Sequence, residues 1–192
     1  MDDMTDPVAE ALAKDLDHGY QTLYGEYRGV VFSTALRLAG RWADAEDIAA
    51  EAFLRAYRAL LGYDTDRRAS LRTRAWLLTI VMNVWRNRVR TLARKPPPGP
   101  IEDAPEPVDP SETVEETAER HDTGAQLARL LTVLPHRQRE AVVLRHVVDL
   151  PIDEIAEILD IPQGTVKSHI SRGLSRLRAE VTTTAISEGG QS

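Results

Sequence analysis

The chain has no cysteine. That excludes disulfides, thiolate metal sites and cysteine nucleophiles together. It has no apolar run near the roughly 20 residues needed to cross a bilayer, so a membrane-inserted helix is not expected. The acidic stretch from Met1 to Glu10 lacks the apolar core of a secretory signal, and a cytoplasmic location fits. There is no glycine-rich phosphate loop and no nucleophile motif. His18, His121, His136, His146 and His169 are scattered, and none pairs closely with a carboxylate at helical ligand spacing. Neither an enzyme nor a cofactor or metal site is expected. Period-two strand alternation is missing as well, and so is an internal repeat.

What is present reads as soluble and globular, with 42% apolar and 28% charged residues. The formal net charge of −6 sits badly with nucleic-acid binding until the chain is divided. Residues 1–95 carry 15 basic and 13 acidic side chains, residues 96–126 carry 1 and 9, and residues 127–192 carry 8 and 8. The acidity is therefore concentrated in the middle. There Pro96, Pro97, Pro98, Pro100, Pro105, Pro107 and Pro110 alternate with acids, a density no helix survives. Lys95 to about Glu116 reads as an extended linker, whose stretched length of about 75 Å lets two domains hold distant sites.

On the N-terminal side, Leu16, Tyr20, Leu23, Tyr27, Val30, Thr34 and Leu38 step by threes and fours into one buried stripe that Gly40 ends. A second helix is predicted from Asp44 as N-cap, with Ile48, Ala49, Ala52, Phe53, Ala56, Tyr57 and Leu60 inward and Gly62 closing it. Tyr63 to Ala69 reads as a polar loop. Ser70 is the expected cap of a third helix reaching about Arg94, with Leu71, Leu78, Val81, Trp85 and Leu92 inward. On the C-terminal side the predicted helices are Thr123 to Leu134, Pro135 to about Val148, Ile152 to Leu159, and Pro162 to about Val181. Proline in a first helical turn costs little, because its missing N–H had no partner there. Thr182 to Ser192 read as a disordered tail. The fold class is all-α: two small helical domains, 1–95 and 122–181, a Pro-rich acidic linker over 96–121, and a tail over 182–192.

Two surfaces carry chemistry. In PIDEIAEILDIPQGTVKSHISRGLSRLR, residues 151–178, a tight turn joins two short amphipathic helices, the pattern of a helix-turn-helix whose second helix enters the major groove. From Ile161 to Ala179 there is no acid, while Thr165, Lys167, Ser168, His169 and Arg172 lie near the start of the second helix, where base edges are reached. Arg176 and Arg178, further along, suit phosphates. The second surface runs from Arg67 to Lys95, with nine basic residues and no acid, a footprint for a phosphate backbone. Trp76, Trp85, Asn83 and Asn87 are interleaved; aromatics and amides beside arginines can engage unpaired bases, although packing in the core is the better reading for Trp85 and an equal one for Trp76. Asp44, Glu46, Asp47 and Glu51 crowd the start of the second helix, where they suit the helix dipole or a basic protein partner equally.

Three segments, DAEDIAAEAFLRAYRAL, WLLTIVMNVWRNRVR and LPHRQREAVVLRHVVDLPIDEIAEILDIPQGTVKSHISRGLSRLR, together resemble the sigma factors of bacterial RNA polymerase, specifically the compact extracytoplasmic-function (ECF) group. The resemblance implies a region 2 domain and a region 4 helix-turn-helix domain. It implies that Asp44, Glu46, Asp47, Glu51 and Phe53 bind the polymerase. Asp64, Arg67, Ser70, Arg74, Trp76, Asn83, Arg86, Asn87 and Arg90 would engage the −10 element, with Asp64 to Ser70 holding a flipped base. Thr165, Lys167, Ser168, His169, Arg172 and Arg176 would engage the −35 element. The implied partners are core RNA polymerase (its β′ clamp helices and β flap), promoter DNA and an anti-sigma factor, and the linker would thread the polymerase. Asn87 stands where the group commonly has an acid, His169 where it has arginine, and Asp160 where it has glycine. The competing reading is a regulator that binds duplex DNA unaided; it accounts for residues 151–178 but not for the basic third helix or the acidic second.

Overall fold

The computed structural model describes residues 6–93 and 124–189, with side chains to residue 183. The linker expected over 96–121 lies outside these residues. All regular structure among them is helical: α1 Pro7–Lys14, α2 Leu16–Ala39, α3 Trp42–Leu61, α4 Thr65–Ala69, α5 Thr73–Leu92, α6 over 124–131, α7 His136–His146, α8 Ile152–Leu159 and α9 Gln163–Gly189. They fall into two compact units. One takes α1, α2 to Ala35, α3 from Glu46, α4 and α5; the other takes Leu36–Ala45 with α6 to α9.

In the first unit the stripe of α2 is inward as its period requires, with Leu23 fully buried and Tyr20 and Tyr27 half-buried. The two tyrosines bury their rings and give their hydroxyls partners: Tyr20 donates to the Phe53 carbonyl at 2.9 Å, and Tyr27 meets Thr73 Oγ1 at 2.9 Å. Leu12 of α1, Ile48, Ala52, Phe53, Ala56 and Leu60 of α3 and Leu77, Leu78, Val81, Met82 and Trp85 of α5 are buried with that stripe. Trp85 is therefore a packing residue. Leu92, expected inward, is 49% exposed at the last residue of α5.

On the N-terminal side four boundaries differ from expectation, each for a local reason. Helix α1 was not foreseen, yet Asp6 caps it, accepting from the Val8 and Ala9 amides at 3.0 and 3.3 Å, and Pro7 stands in its first turn. Helix α3 starts at Trp42 rather than Asp44, since the Ala45 amide already bonds the Arg41 carbonyl at 3.1 Å. The predicted loop over 63–69 contains α4, which Asp64 opens by accepting from the Arg67 amide at 2.8 Å. Ser70 does not cap α5. It closes α4, its hydroxyl donating to the Arg67 carbonyl at 3.1 Å, and α5 begins at Thr73 with no side-chain cap from Arg72.

In the second unit Ile155, Ile158 and Leu159 of α8 and Val166 of α9 are buried with Ala141, Val142, Val143 and Leu144 of α7. The turn between α8 and α9 is made by Asp160 in the left-handed region, at φ 54° and ψ 52°, which aspartate tolerates better than most residues. Helix α9 does not stop near Val181 but runs to Gly189, through the expected tail. Thr182 and Thr183 return their hydroxyls to the Arg178 and Ala179 carbonyls at 2.9 Å, so neither competes for the backbone in a way that ends the helix.

Helices α7 and α9 approach closely at Gly173. A Cβ there would lie 2.7 Å from Val142 Cγ2, and Val142 is itself buried. Gly173→Ala gains about 1 kcal/mol of helix propensity but overpacks a closed contact at a cost of about 1–3 kcal/mol. The expected outcome is a net loss of about 1 kcal/mol, read as a lower denaturation midpoint at unchanged m-value; a variant more stable than the parent would show that Val142 yields freely.

Candidate nucleic-acid interface

The first unit gathers its arginines along α5 and at the α4 corner. Asn83, Asn87 and Arg90 are exposed and Arg86 is half-buried. Their spacing of three and four keeps them on one side of the helix. Arg90 donates to Asn87 Oδ1, which fixes the amide with its carbonyl toward the arginine and leaves its NH2 for an acceptor outside. At the other end Arg74 is exposed and Trp76 half-buried, its ring 6.2 Å from that of Tyr63. The Arg67 guanidinium lies 3.8 Å from the Tyr63 ring centre, a cation–π contact that holds the charge beside an aromatic face. Tyr63 was not among the expected site residues. The signal for it was available: Tyr63 and Arg67 are four apart at the mouth of a short capped helix. Asp64 and Ser70, by contrast, spend their side chains on shaping α4. Arg68 does likewise, donating to the Leu60 carbonyl at 3.1 and 2.9 Å.

The acids of α3 separate into distinct kinds. Glu46 and Asp47 are exposed, Asp44 and Glu51 half-buried. Glu51 pairs with Arg55 one turn on at 2.7 Å, and Asp47 receives Arg88 of α5 at 3.2 Å. Phe53 is 6% exposed and stacks against Tyr24 with ring centres 4.8 Å apart. It holds α3 in place from inside and offers no face to a partner.

In the second unit the residues expected to read bases also divide. Lys167, Arg172 and Arg176 are exposed on α9. Thr165 and Ser168 are half-buried, and the Ser168 hydroxyl bonds back to the Gly164 carbonyl at 2.9 Å. His169 is turned toward α7: it is half-buried, and its Nδ1 is enclosed without a hydrogen-bond partner. Burial lowers its pKa, the cations Arg172 and Arg137 lower it further, and the nearby Glu140 opposes them. At neutral pH the ring is a neutral packing group between two helices. Sequence position alone could not separate it from Lys167 and Ser168, because all three share one turn of α9. Beside Lys167 opens a cleft of about 360 Å³ whose walls include Arg145, His146 and Arg178 over a floor of Ile152, Ile170 and Leu174. It extends the basic surface from α9 onto the end of α7.

No group of His, Asp or Glu able to hold a metal occurs among the described residues, and no described helix is long and apolar enough to cross a membrane.

The model of Sigma-70 region 2 matches residues 23–95, and that of Sigma-70 region 4 matches residues 124–177. The chain is 31% identical to the ECF RNA polymerase sigma factor SigW of Bacillus subtilis, over 81% of this chain and 84% of that one. It is 32% identical to the RNA polymerase sigma-E factor of Streptomyces avermitilis, over 85% and 88%. Among solved structures, CnrH in complex with the cytosolic domain of CnrY superposes with a TM-score of 0.65 at 25% identity, covering 92% of this chain and 96% of that one. The sigma factor RpoE of Bartonella quintana, solved with the anti-sigma factor NepR, shares the fold at a TM-score of 0.62. With both sigma regions in order on one chain and ECF relatives along most of its length, this protein belongs to the extracytoplasmic-function family of RNA polymerase sigma factors, which recognise promoters for transcription initiation.

Proposed function

We propose that the chain binds core RNA polymerase through the exposed acids of α3, engages the −10 element with α4 and α5, and engages the −35 element with α9. In this reading the polymerase-binding residues are Glu46, Asp47, Asp44 and Glu51, with Phe53 supporting them from below. Arg67, Arg74, Trp76, Asn83, Arg86, Asn87 and Arg90 form the −10 surface, joined by Tyr63. Lys167, Arg172 and Arg176 form the −35 surface, with Thr165 and Ser168 at its edge. Residues 1–95 and 122–181 act as the two modules and 96–121 as their tether. The protein works in the cytoplasm without chemistry of its own. Its partners are the β′ clamp helices and β flap of the polymerase, promoter DNA, and an anti-sigma factor of the kind seen with its structural neighbours.

The observation that supports this reading is the division of charge by helix: a basic α5 without an acid, a basic stretch of α9 without an acid as far as Ala179, and exposed carboxylates on α3. A positive surface tracks phosphates, whereas exposed carboxylates repel them and suit a basic protein helix. Core polymerase supplemented with this chain should initiate RNA at defined positions on genomic fragments. Asp47→Arg should weaken core binding about tenfold, about 1.4 kcal/mol, while the fold survives. Asp47 is 67% exposed and its pair with Arg88 sits at the surface, where such a pair stabilises by at most about 1 kcal/mol. Normal core affinity in this variant, or tight promoter-selective binding by the free chain, argues for a self-sufficient DNA-binding regulator instead.

A further inference from the structure

We propose that Asp6 is a positioning residue for the −10 surface, acting through Thr73. The proposal rests on the assignment of α4 and α5 to that element. Asp6 precedes the stretch matched by the region 2 model, which begins at residue 23, and is 67 residues from Thr73 in sequence.

Thr73 is the first residue of α5 and is fully buried. Its amide and hydroxyl must therefore find partners inside the protein, and Arg72, at the N-cap position, supplies none. Asp6 supplies both. Its Oδ2 accepts the Thr73 amide at 2.9 Å and the Thr73 hydroxyl at 2.6 Å. Its Oδ1 meanwhile accepts the Val8 and Ala9 amides of α1. One carboxylate thus caps two helices and lies at the positive end of both dipoles. Since the only hydroxyl proton of Thr73 is given to Asp6, the contact with Tyr27 at 2.9 Å must run from the Tyr27 hydroxyl to Thr73 Oγ1. The result is a chain of three side chains from α2, α5 and the start of α1.

This chain ends where the −10 surface begins. Arg74 and Trp76 are one and three residues past Thr73, and α1 packs along α4, which carries Arg67. Ser70 to Arg72, the link between α4 and α5, has no cap of its own at the α5 end. The carboxylate therefore determines where α5 starts relative to α4. A displacement of about 1 Å in groups that hold a nucleotide is enough to lose much of their effect.

Asp6→Asn separates the two duties. The amide oxygen can still cap α1, but the NH2 then faces the Thr73 amide, donor against donor. The test uses holoenzyme assembled from the full chain, on promoters whose starts have first been mapped with the parent protein. The measured quantity is the transcription ratio between a matched −10 element and the same element with one base changed. Asp6→Asn should lower this ratio about tenfold, while core affinity and the corresponding −35 ratio stay within about twofold. Thr73→Val should reproduce the loss and Thr73→Ser should keep the ratio near the parent value; this pair decides the matter if Asp6→Asn does not fold. A lowered melting temperature with an unchanged −10 ratio, or a fall of all three quantities together, overturns the proposal and leaves Asp6 a structural cap. A parent holoenzyme indifferent to every −10 base instead removes the −10 assignment itself, and that is visible before any variant is made.

Discussion

Holoenzyme carrying Arg172→Ala should lose about 1–3 kcal/mol of discrimination at the −35 element, a factor of about 5–150 in promoter choice. The size follows from the kind of contact. Arg172 is exposed on α9, three turns or fewer from its start, and its fork can take O6 and N7 of a guanine together. Loss of such a pair leaves base acceptors desolvated with nothing opposite them. Removing a phosphate contact behaves differently. Arg176→Ala should weaken all promoters alike and flatten the salt dependence of binding by about one ion, because a phosphate carries no sequence. The measurement is competitive transcription on templates differing only in the −35 bases. If Arg172→Ala lowers strong and weak promoters by one common factor, the side chain belongs with the phosphate-binding group and another residue reads the sequence, Lys167 being next in line.

The same helix shows what the sequence could and could not disclose. Helix α8 was legible to the residue, because Pro151 opens it and Asp160 closes it in a conformation few other residues accept. The basic stretch of α9, without an acid as far as Ala179, was equally legible, since charge needs no partner to be read. His169 was not. Its role depends on which side of α9 meets α7, and that is set by the close approach at Gly173, a contact between segments about 30 residues apart. Likewise the stripe of α2 was visible in its period, but the start of α5 was not. Ser70 looked like a cap by type and place, while the group that satisfies Thr73 comes from Asp6, at the far end of the unit's sequence. Local pattern thus located the longer helices and their charged faces, though not α1 or α4, and long-range hydrogen bonds decided which polar residues on those helices remain available to a partner. Phe53 was legible from its period as an inward residue of α3, and it is buried against Tyr24; only the family resemblance attached a partner-binding role to it.

The second large effect concerns Arg139, a single buried guanidinium on α7. It is 5% exposed, and its acceptors include the Thr132 carbonyl at 2.6 Å and the Leu134 carbonyl at 3.1 Å. Both carbonyls lie where the chain leaves α6 and have no helical amide to bond, so the arginine closes that end. Two opposing terms decide its worth. Burial lowers the Arg139 pKa from its ordinary value, a sign that the charge is costly where it sits. Against this stand charge-assisted bonds worth about 1.5–3 kcal/mol each, and the penalty of about 1–3 kcal/mol for a buried carbonyl left bare. With more than one carbonyl on one rigid fork, the bonds prevail. Arg139→Met, which keeps much of the apolar stem, should cost about 2–4 kcal/mol and lower the thermal transition of the second unit by more than about 10 °C. Arg139→Lys should recover little, since an ammonium cannot span the carbonyls as the planar fork does. Calorimetry on the full chain reads both variants. A Met variant as stable as the parent would mean that the desolvation of the charge had cancelled its hydrogen bonds, and that the α6–α7 corner is held by Leu131, Leu134 and Val143 alone.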